Sequence, residues 1–198
     1  MKRSHILASL GALALVSSGP ALAGWKIAPR GAAAPVLKGA MTVTPGDDWN
    51  FNTGHPMKKG ETWTLDGVSL NELYLVAGLA PGETLFKDYA KKDRPLPKLG
   101  TGAVLTDIPE FVESSIRIQL NTSQFETTGV EPVQFGGRDG VKFTYRYSVQ
   151  GESLTRQGVA MATLAGKNLY LINFAAPSIY YFDRDKAKAE AVMASAKF

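Results

Sequence analysis

Hydrophobic and polar residues alternate in the second half of the chain, and this alternation predicts a β-meander from residue 133 onward. In its clearest strand every second side chain is apolar: Val141, Phe143, Tyr145 and Tyr147. The residues between them are polar, so we expect a half-buried strand with an aromatic inner face. Residues 138–140 are expected to form the turn that precedes this strand.

Two more strands are expected to complete the meander. A two-residue turn at Gln150-Gly151 would lead into a strand over residues 154–164. Residues 165–168 turn the chain again, and the nearly all-apolar run over 169–174 is typical of a central strand buried on both faces.

Apolar residues at helical spacing predict two helices. The first covers residues 107–120, with Asp107 as its cap and Pro109 in the first turn, where a missing N–H group costs little. The second covers about residues 184–197 and follows a possible cap at Asp183.

Shorter strand patterns occupy the first half of the chain. Residues 41–44 and 49–52 are predicted strands, and the second of these would place Trp49 and Phe51 on one side. Asp66-Gly67 is typical of a tight hairpin turn, because such turns require positive φ angles.

Residues 70–79 leave two interpretations open. Ser69 and Glu72 could form a capping box that begins a short helix, whereas the alternation of apolar residues favours a strand. With the strand, the elements define an α+β domain in which helices flank a central antiparallel sheet.

The N-terminus has the pattern of a secretory signal peptide. Lys2 and Arg3 precede an apolar run over residues 6–16, and the small-x-small sequence at 21–23 predicts cleavage after Ala23. The alternative is a membrane anchor, but this run is too short to span the ~30 Å of a bilayer's hydrocarbon core. We therefore expect a periplasmic or secreted protein with no integral membrane segment after cleavage.

The remaining chain divides into two parts in this prediction. Residues 24–40 are rich in alanine, glycine and proline and are expected to form an irregular segment, followed by a single α+β domain over 41–198. Loss of two basic residues with the signal peptide lowers the net charge from +4 to +2. A nearly neutral protein of this kind gives no support for nucleic acid as a partner.

The order of elements and several turn residues resemble a known fold family. Trp49-Asn50 follows an early strand, and the segments 137–145, 156–158 and 166–170 follow the middle helix. Over roughly residues 41–198 this order resembles the family shared by the photosystem subunit PsbP and the Ran-release factors. The resemblance implies a three-layer α/β/α sandwich around an antiparallel sheet, and a role in binding or assembling other proteins rather than catalysis.

The composition excludes several kinds of chemistry. The chain has no cysteine, so disulfides, thiol nucleophiles and thiolate metal sites are excluded. His5 belongs to the predicted signal peptide, which leaves His55 as the only histidine of the mature chain. A histidine-rich zinc site is thereby excluded, and we expect no metal and no cofactor.

One group of residues could support hydrolysis. Asp47, Asp48 and His55 lie close together in sequence, and two carboxylates with an imidazole could share a proton or hold a hard cation. The competing interpretation is structural, because aspartate after Pro-Gly is a common turn residue. An envelope hydrolase that uses these three residues is the third of our hypotheses.

Arg156 is a candidate anchor for an anionic ligand. With a two-residue turn at 150–151, Arg156 faces Tyr145 and lies on the aromatic side of the sheet. A guanidinium group there must stack on a ring or pair with a carboxylate. The alternative is a register shift of one residue, which would place Arg156 in solvent. This site underlies our second hypothesis, a carrier of a small apolar or anionic ligand.

Two surface segments are candidates for contact with a partner protein. Tyr180, Tyr181 and Phe182 cannot all point inward, and exposed aromatic residues are typical of interfaces. The alternative is that they fasten the last helix to the sheet. The basic segment 87–98 could contact an acidic partner or lipid headgroups, or simply be a solvated loop. Our leading hypothesis is an exported, non-catalytic binding or assembly accessory of the bacterial cell envelope.

Overall fold

A computed structural model describes residues 24–54 and 57–198 of the chain. An antiparallel β-sheet dominates this part and is accompanied by two α-helices, α1 (Ile108–Leu120) and α2 (Tyr181–Ala194). The strands are β1 (Trp25–Ala28), β2 (Ala34–Val36), β3 (Met41–Val43), β4 (Trp49–Asn52), β5 (Gly60–Thr64), β6 (Glu72–Leu79), β7 (Thr122–Phe135), β8 (Arg138–Val149), β9 (Thr155–Ala165) and β10 (Asn168–Pro177). The predicted signal peptide and His55 lie outside the described residues.

Eight strands form one sheet in the order β1-β4-β5-β6-β10-β9-β8-β7, and every neighbouring pair is antiparallel. The last strand, β10, lies in the middle, where it pairs with β6 on one side and β9 on the other. It therefore joins the N-terminal strands to the C-terminal meander. Strands β2 and β3 form a separate two-stranded ribbon.

Each face of the sheet carries one apolar core. The α2-side core combines the sheet with α2 and the β2–β3 ribbon, and the α1-side core combines it with α1 and the loop that follows β6. Side chains of β10 alternate between them: Leu169 and Leu171 enter the α1-side core, whereas Ile172 and Phe174 enter the α2-side core. The predicted two-sided burial of this strand is thus confirmed. The sheet is more dominant than the expected helix-flanked sandwich implies, because much of its covering comes from loops and the ribbon.

Several predicted elements are confirmed. Helix α1 spans Ile108–Leu120 with Pro109 in its first turn. The second predicted helix also forms, but α2 spans Tyr181–Ala194, so it begins and ends three residues earlier than predicted, and Asp183 lies in its first turn instead of capping it. The ambiguous segment 70–79 forms strand β6. The aromatic face of β8 is buried as predicted.

Other sequence expectations are corrected by the structure. The segment 24–40, expected to be irregular, contributes β1 and β2, because short strands can pair with distant segments that a local pattern does not reveal. The turn before β8 uses Gly136 and Gly137, both at positive φ, and residues 138–140 belong to the strand itself. Strand β7 was not expected over residues 122–132.

Within the described residues, the α-helices contain 13 and 14 residues, and neither is long and apolar enough to cross a membrane.

Candidate functional site

Three loops meet at the end of the sheet where β6 and β9 begin. They are the β5–β6 loop (65–71), the β8–β9 loop (150–154) and the β10–α2 loop (178–180). Ser178 donates its backbone N–H to the carbonyl of Thr155 at 2.9 Å, which fixes the third loop against the start of β9. Arg156 Nη2 donates to the carbonyl oxygen of Ser69 at 3.3 Å, which ties the first loop to the same strand.

These loops expose a group of large apolar side chains. We call this group the tip surface; its members are Val68 (37% exposed), Leu154 (39%), Ile179 (70%) and Tyr180 (64%). Each of the three loops contributes at least one member. Apolar side chains gathered at one end of a domain, rather than scattered singly, are typical of binding surfaces.

The aromatic run before α2 is divided between surface and core. Phe182 is buried and stacks on Phe174, with 5.9 Å between the ring centroids. Tyr181 is half-buried against the α2-side core, and only Tyr180 is largely exposed. Tyr180 lies directly before α2 and has a positive φ of 72°, which is uncommon for a residue other than glycine.

Arg184 holds the two tyrosines in place. Its guanidinium carbon lies 5.2 Å from the ring centroid of Tyr180 and 5.0 Å from that of Tyr181. The same guanidinium group forms ion pairs with Asp66 in the β5–β6 loop and with Asp185. It therefore links two of the three loops of the tip surface, and cation–π contacts orient the exposed ring.

A buried polar network supports the loops from below. Asn71 is fully buried, and its side-chain oxygen accepts hydrogen bonds from Thr64 Oγ1 and from the backbone N–H of Leu65, both at 2.7 Å. Its side-chain nitrogen donates to Asp66 at 2.7 Å and to Asp185 at 3.1 Å. This network replaces the predicted two-residue turn at Asp66-Gly67 with a seven-residue loop, because the asparagine side chain satisfies backbone groups that a tight hairpin would pair.

The charge of Asp185 is balanced by two cations. Burial raises the pKa of its carboxyl group, but hydrogen bonds from Arg184 and Lys188 outweigh that effect, so the pKa lies below its usual value. Lys188 Nζ is 3.0 Å from Asp185 Oδ1. The hydrogen bond with Asp185 in turn raises the pKa of Arg184, so the pair stays ionised.

Arg156 lies on the aromatic side of the sheet, as the pattern predicted, but with a different partner. The β8–β9 loop is longer than a two-residue turn, and Arg156 faces Tyr147 instead of Tyr145. The shift is two residues, so the side chain stays on the same face. Its guanidinium group is held by Glu152 at 3.4 Å and by the carbonyl of Ser69, so these donors already have partners within the chain.

Next to Arg156, burial raises the pKa of Glu72, while the hydrogen bond from Tyr74 and the charge of Arg156 act in the opposite direction. Tyr74 Oη donates to Glu72 Oε2 at 2.6 Å. Burial also raises the pKa of Tyr147. These contacts connect Arg156 to the sheet and make it a structural link between loops.

Tyr145 is buried in the α1-side core and does not contribute to the tip surface. Its ring lies over Gly158 on the neighbouring strand, and its hydroxyl donates to Asn173 Oδ1 at 2.9 Å. Phe125 stacks on it with 4.8 Å between the ring centroids. The ring therefore fills space inside the core.

One acidic residue of the hydrolase hypothesis, Asp48, makes a structural contact. Asp48 Oδ1 accepts the backbone N–H of Arg30 at 2.7 Å, which fastens the loop after β1. Within residues 24–54 and 57–198, no group of three or more histidine, aspartate or glutamate side chains is placed to hold a metal ion. Sequence reasoning missed Val68, Leu154 and Ile179, because their proximity depends on loops distant in sequence.

Comparison with solved structures defines the class of fold. The chain is similar to the solution structure of cyanobacterial PsbP (CyanoP) from Synechocystis sp. PCC 6803, with a TM-score of 0.54 and 18% identity over 96% of this chain and 97% of that one. The expected PsbP-like fold is thus confirmed at the level of the fold.

Two more distant similarities accompany it. The Ran-binding protein Mog1p of Saccharomyces cerevisiae matches with a TM-score of 0.41 and 11% identity over 82% of this chain and 88% of that one. LpqN of Mycobacterium tuberculosis, described as involved in cell envelope biogenesis, matches with a TM-score of 0.33 and 11% identity over 87% of this chain and 90% of that one. No protein-family model matches the sequence, and no curated protein matches it.

Proposed function

We propose that this protein is an exported, non-catalytic binding or assembly accessory of the cell envelope that holds a partner protein through the tip surface. The observation that carries the proposal is the gathering of Val68, Leu154, Ile179 and Tyr180 on three loops, two of which are fixed by hydrogen bonds to β9. The signal-peptide pattern at the N-terminus supports export.

Rigidity of the loops supports binding rather than mere exposure. The network of Asn71, Asp66, Arg184 and Asp185 holds two of the three loops before any partner arrives. Ordering mobile loops on binding costs free energy, so loops that are already fixed leave more of the contact energy for affinity. Tyr180 supplies a large aromatic ring with few rotatable bonds, the kind of residue that dominates interface energies.

A crosslinking experiment tests this proposal. A photo-crosslinking amino acid placed at position 180 is expected to trap a discrete partner in the cell envelope, whereas the same group at Val130, exposed on β7, is expected to trap none. The double variant Ile179→Ser/Tyr180→Asn should weaken capture of that partner more than about tenfold, because it removes the two most exposed anchors. Asparagine is chosen at position 180 because it tolerates positive φ.

The matched control replaces two exposed valines that lie outside the three loops. Val104→Ser/Val130→Ser removes apolar surface of similar exposure away from the three loops, and we expect it to leave capture unchanged. Equal loss in the two double variants would contradict the assignment of the tip surface. Circular dichroism and thermal unfolding of both variants establish that the fold is retained.

A further inference from the structure

A groove lined by lysines lies beside the turn that follows β6 and shares no residue with the tip surface. Its volume is about 650 Å³. The buried rings and chains of Phe86 and Leu96 form its floor, and Lys58, Lys87, Lys91 and Lys98 stand around it. An apolar floor with a cationic rim favours a ligand that combines negative charge with an apolar side chain.

Most of the rim charge is not balanced within the chain. Lys58 pairs with Glu83 at 3.5 Å. Asp88, also in the groove, accepts the backbone N–H of Leu96 at 3.2 Å. Across the part of the chain that the structure describes, Lys87, Lys91 and Lys98 form no ion pair. Three unpaired ammonium groups around one groove attract an acidic partner and accelerate its approach.

Tyr89 adds an aromatic side chain to the rim. It is 81% exposed and stands beside the floor formed by Phe86 and Leu96. An apolar side chain entering the groove would lie between this ring and the floor. Both of its faces would then be removed from water. Tyrosine in such a position contributes a large contact area with little loss of conformational freedom.

We infer that this groove binds an acidic peptide segment of a partner protein, with one apolar or aromatic side chain of that segment seated on Phe86 and Leu96. Carboxylates on either side of the anchor would meet Lys87, Lys91 and Lys98. The concave shape favours a peptide over a lipid surface, because a bilayer is flat and would meet only the rim. Tyr89 is also the single large apolar residue of the groove, among the described residues, that is strongly exposed, whereas membrane docking generally uses several.

The test measures binding of a fluorescent peptide of alternating glutamate and glycine with a phenylalanine at its centre. We expect saturable binding that weakens as salt is added, because Lys58, Lys91 and Lys98 are exposed to solvent and Lys87 is only half-buried. The triple variant Lys87→Glu/Lys91→Glu/Lys98→Glu should weaken binding at least about tenfold, since it replaces attraction by repulsion at three positions.

The matched control changes the total charge by the same amount elsewhere. Lys26→Glu/Lys38→Glu/Lys167→Glu alters three exposed lysines that do not line the groove, and it should retain most of the affinity. Equal weakening in the two triple variants would show that only net charge matters and would overturn the inference. Thermal unfolding of both variants confirms that each is folded.

Two further measurements test the apolar anchor and the alternative ligand. Tyr89→Ser should weaken binding of the phenylalanine peptide more than binding of the same peptide with glycine at its centre. Equal effects on both peptides would remove the anchor from the inference. Vesicles of anionic phosphatidylglycerol serve as the competing probe: sedimentation with vesicles that depends on the groove lysines, without peptide binding, would assign the groove to a membrane and overturn the proposal.

Discussion

The absence of a side chain at Gly158 leaves space in the core for the larger ring of Tyr145. The Tyr145 ring lies directly over this glycine, and a Cβ atom at position 158 would lie only 2.1 Å from Tyr145 Cζ. The ring cannot move away freely, because its hydroxyl is bonded to Asn173 and Phe125 stacks on its face. The glycine is therefore required by packing rather than by backbone conformation.

Gly158→Ala should lower the free energy of unfolding by about 2 kcal/mol, because the new methyl group overpacks a filled core. Urea denaturation monitored by tryptophan fluorescence measures this change. Gly46→Ala is the control, since a Cβ atom there meets no other atom within 4 Å. A Gly158→Ala variant as stable as this control would contradict the packing role.

For single residues, the sequence predicted which face of the sheet a side chain occupies better than it predicted which residue lies opposite on the neighbouring strand. The alternation along β8 placed Tyr145 and Arg156 on one face, and the structure has them there. It paired the wrong residues, because the register of a hairpin depends on loop length, and the loop is longer than a two-residue turn. The inner position of Tyr145 therefore depends on Gly158, which the pattern had paired with Phe143.

At the scale of elements, strand β6 changes the face it presents partway along its length. Leu73, Leu75 and Ala77 enter the α2-side core, but Leu79 enters the α1-side core. Gly78, with a φ of +72°, makes this change possible, and the register with β10 shifts at the same point. A bulge of this kind reverses the alternation of side chains, so Leu79 lies on the face that Val76 already occupies in the α1-side core.

Gly78→Ala is expected to destabilise the protein by about 1 kcal/mol, because a side chain disfavours positive φ. Steric overlap is not the cause of this destabilisation, since the nearest atom, Tyr170 Oη, would be 3.7 Å from the added Cβ atom. Thermal unfolding compared with Gly102→Ala, a position with open space and no positive φ, isolates the backbone effect. Equal stability of the two variants would refute it.

Elements with strong internal periodicity were predictable, and those defined by distant pairing were not. Helix α1 and strand β8 carry their patterns within a dozen residues. Strand β7 contains Gly129 and Pro132 and two register shifts, so it has no regular alternation. Such interruptions suit an edge strand, because they discourage pairing with another chain.

At the scale of the whole molecule, Asp185 connects α2 with the β5–β6 loop. Its pKa is lowered by Arg184 and Lys188, so the unfolded chain takes up a proton more readily than the folded protein does. The corresponding stability is fully present above the usual value of 3.8 and is lost as the pH falls through the lower folded value.

Asp185→Asn should therefore lower the unfolding free energy by about 2 kcal/mol at neutral pH, because it removes charge-assisted hydrogen bonds from a buried group. The difference from the unaltered protein should shrink well below pH 3.8, where the native carboxyl group also becomes protonated. Urea denaturation over a pH series measures both effects. A difference that stays constant with pH would exclude the carboxylate charge as its source.

The tip surface could be predicted only in part from the sequence. The aromatic run 180–182 indicated a possible interface, and Tyr180 is its exposed member. Val68 and Leu154 gave no local signal, because they reach this surface only when β6 and β9 take their places beside β10. A surface assembled from three separate loops is a property of topology rather than of any one segment.

The central place of β10 also sets when this protein can fold. Its pairing with β6 joins residues as far apart as Glu72 and Ala175, so the two halves of the sheet stay separate until β10 has been synthesised. Such long-range closure is slow compared with local hairpin formation. The proposed export requires the chain to cross a membrane as an extended polypeptide. This delay keeps the chain unfolded, and therefore able to cross, until translocation is complete.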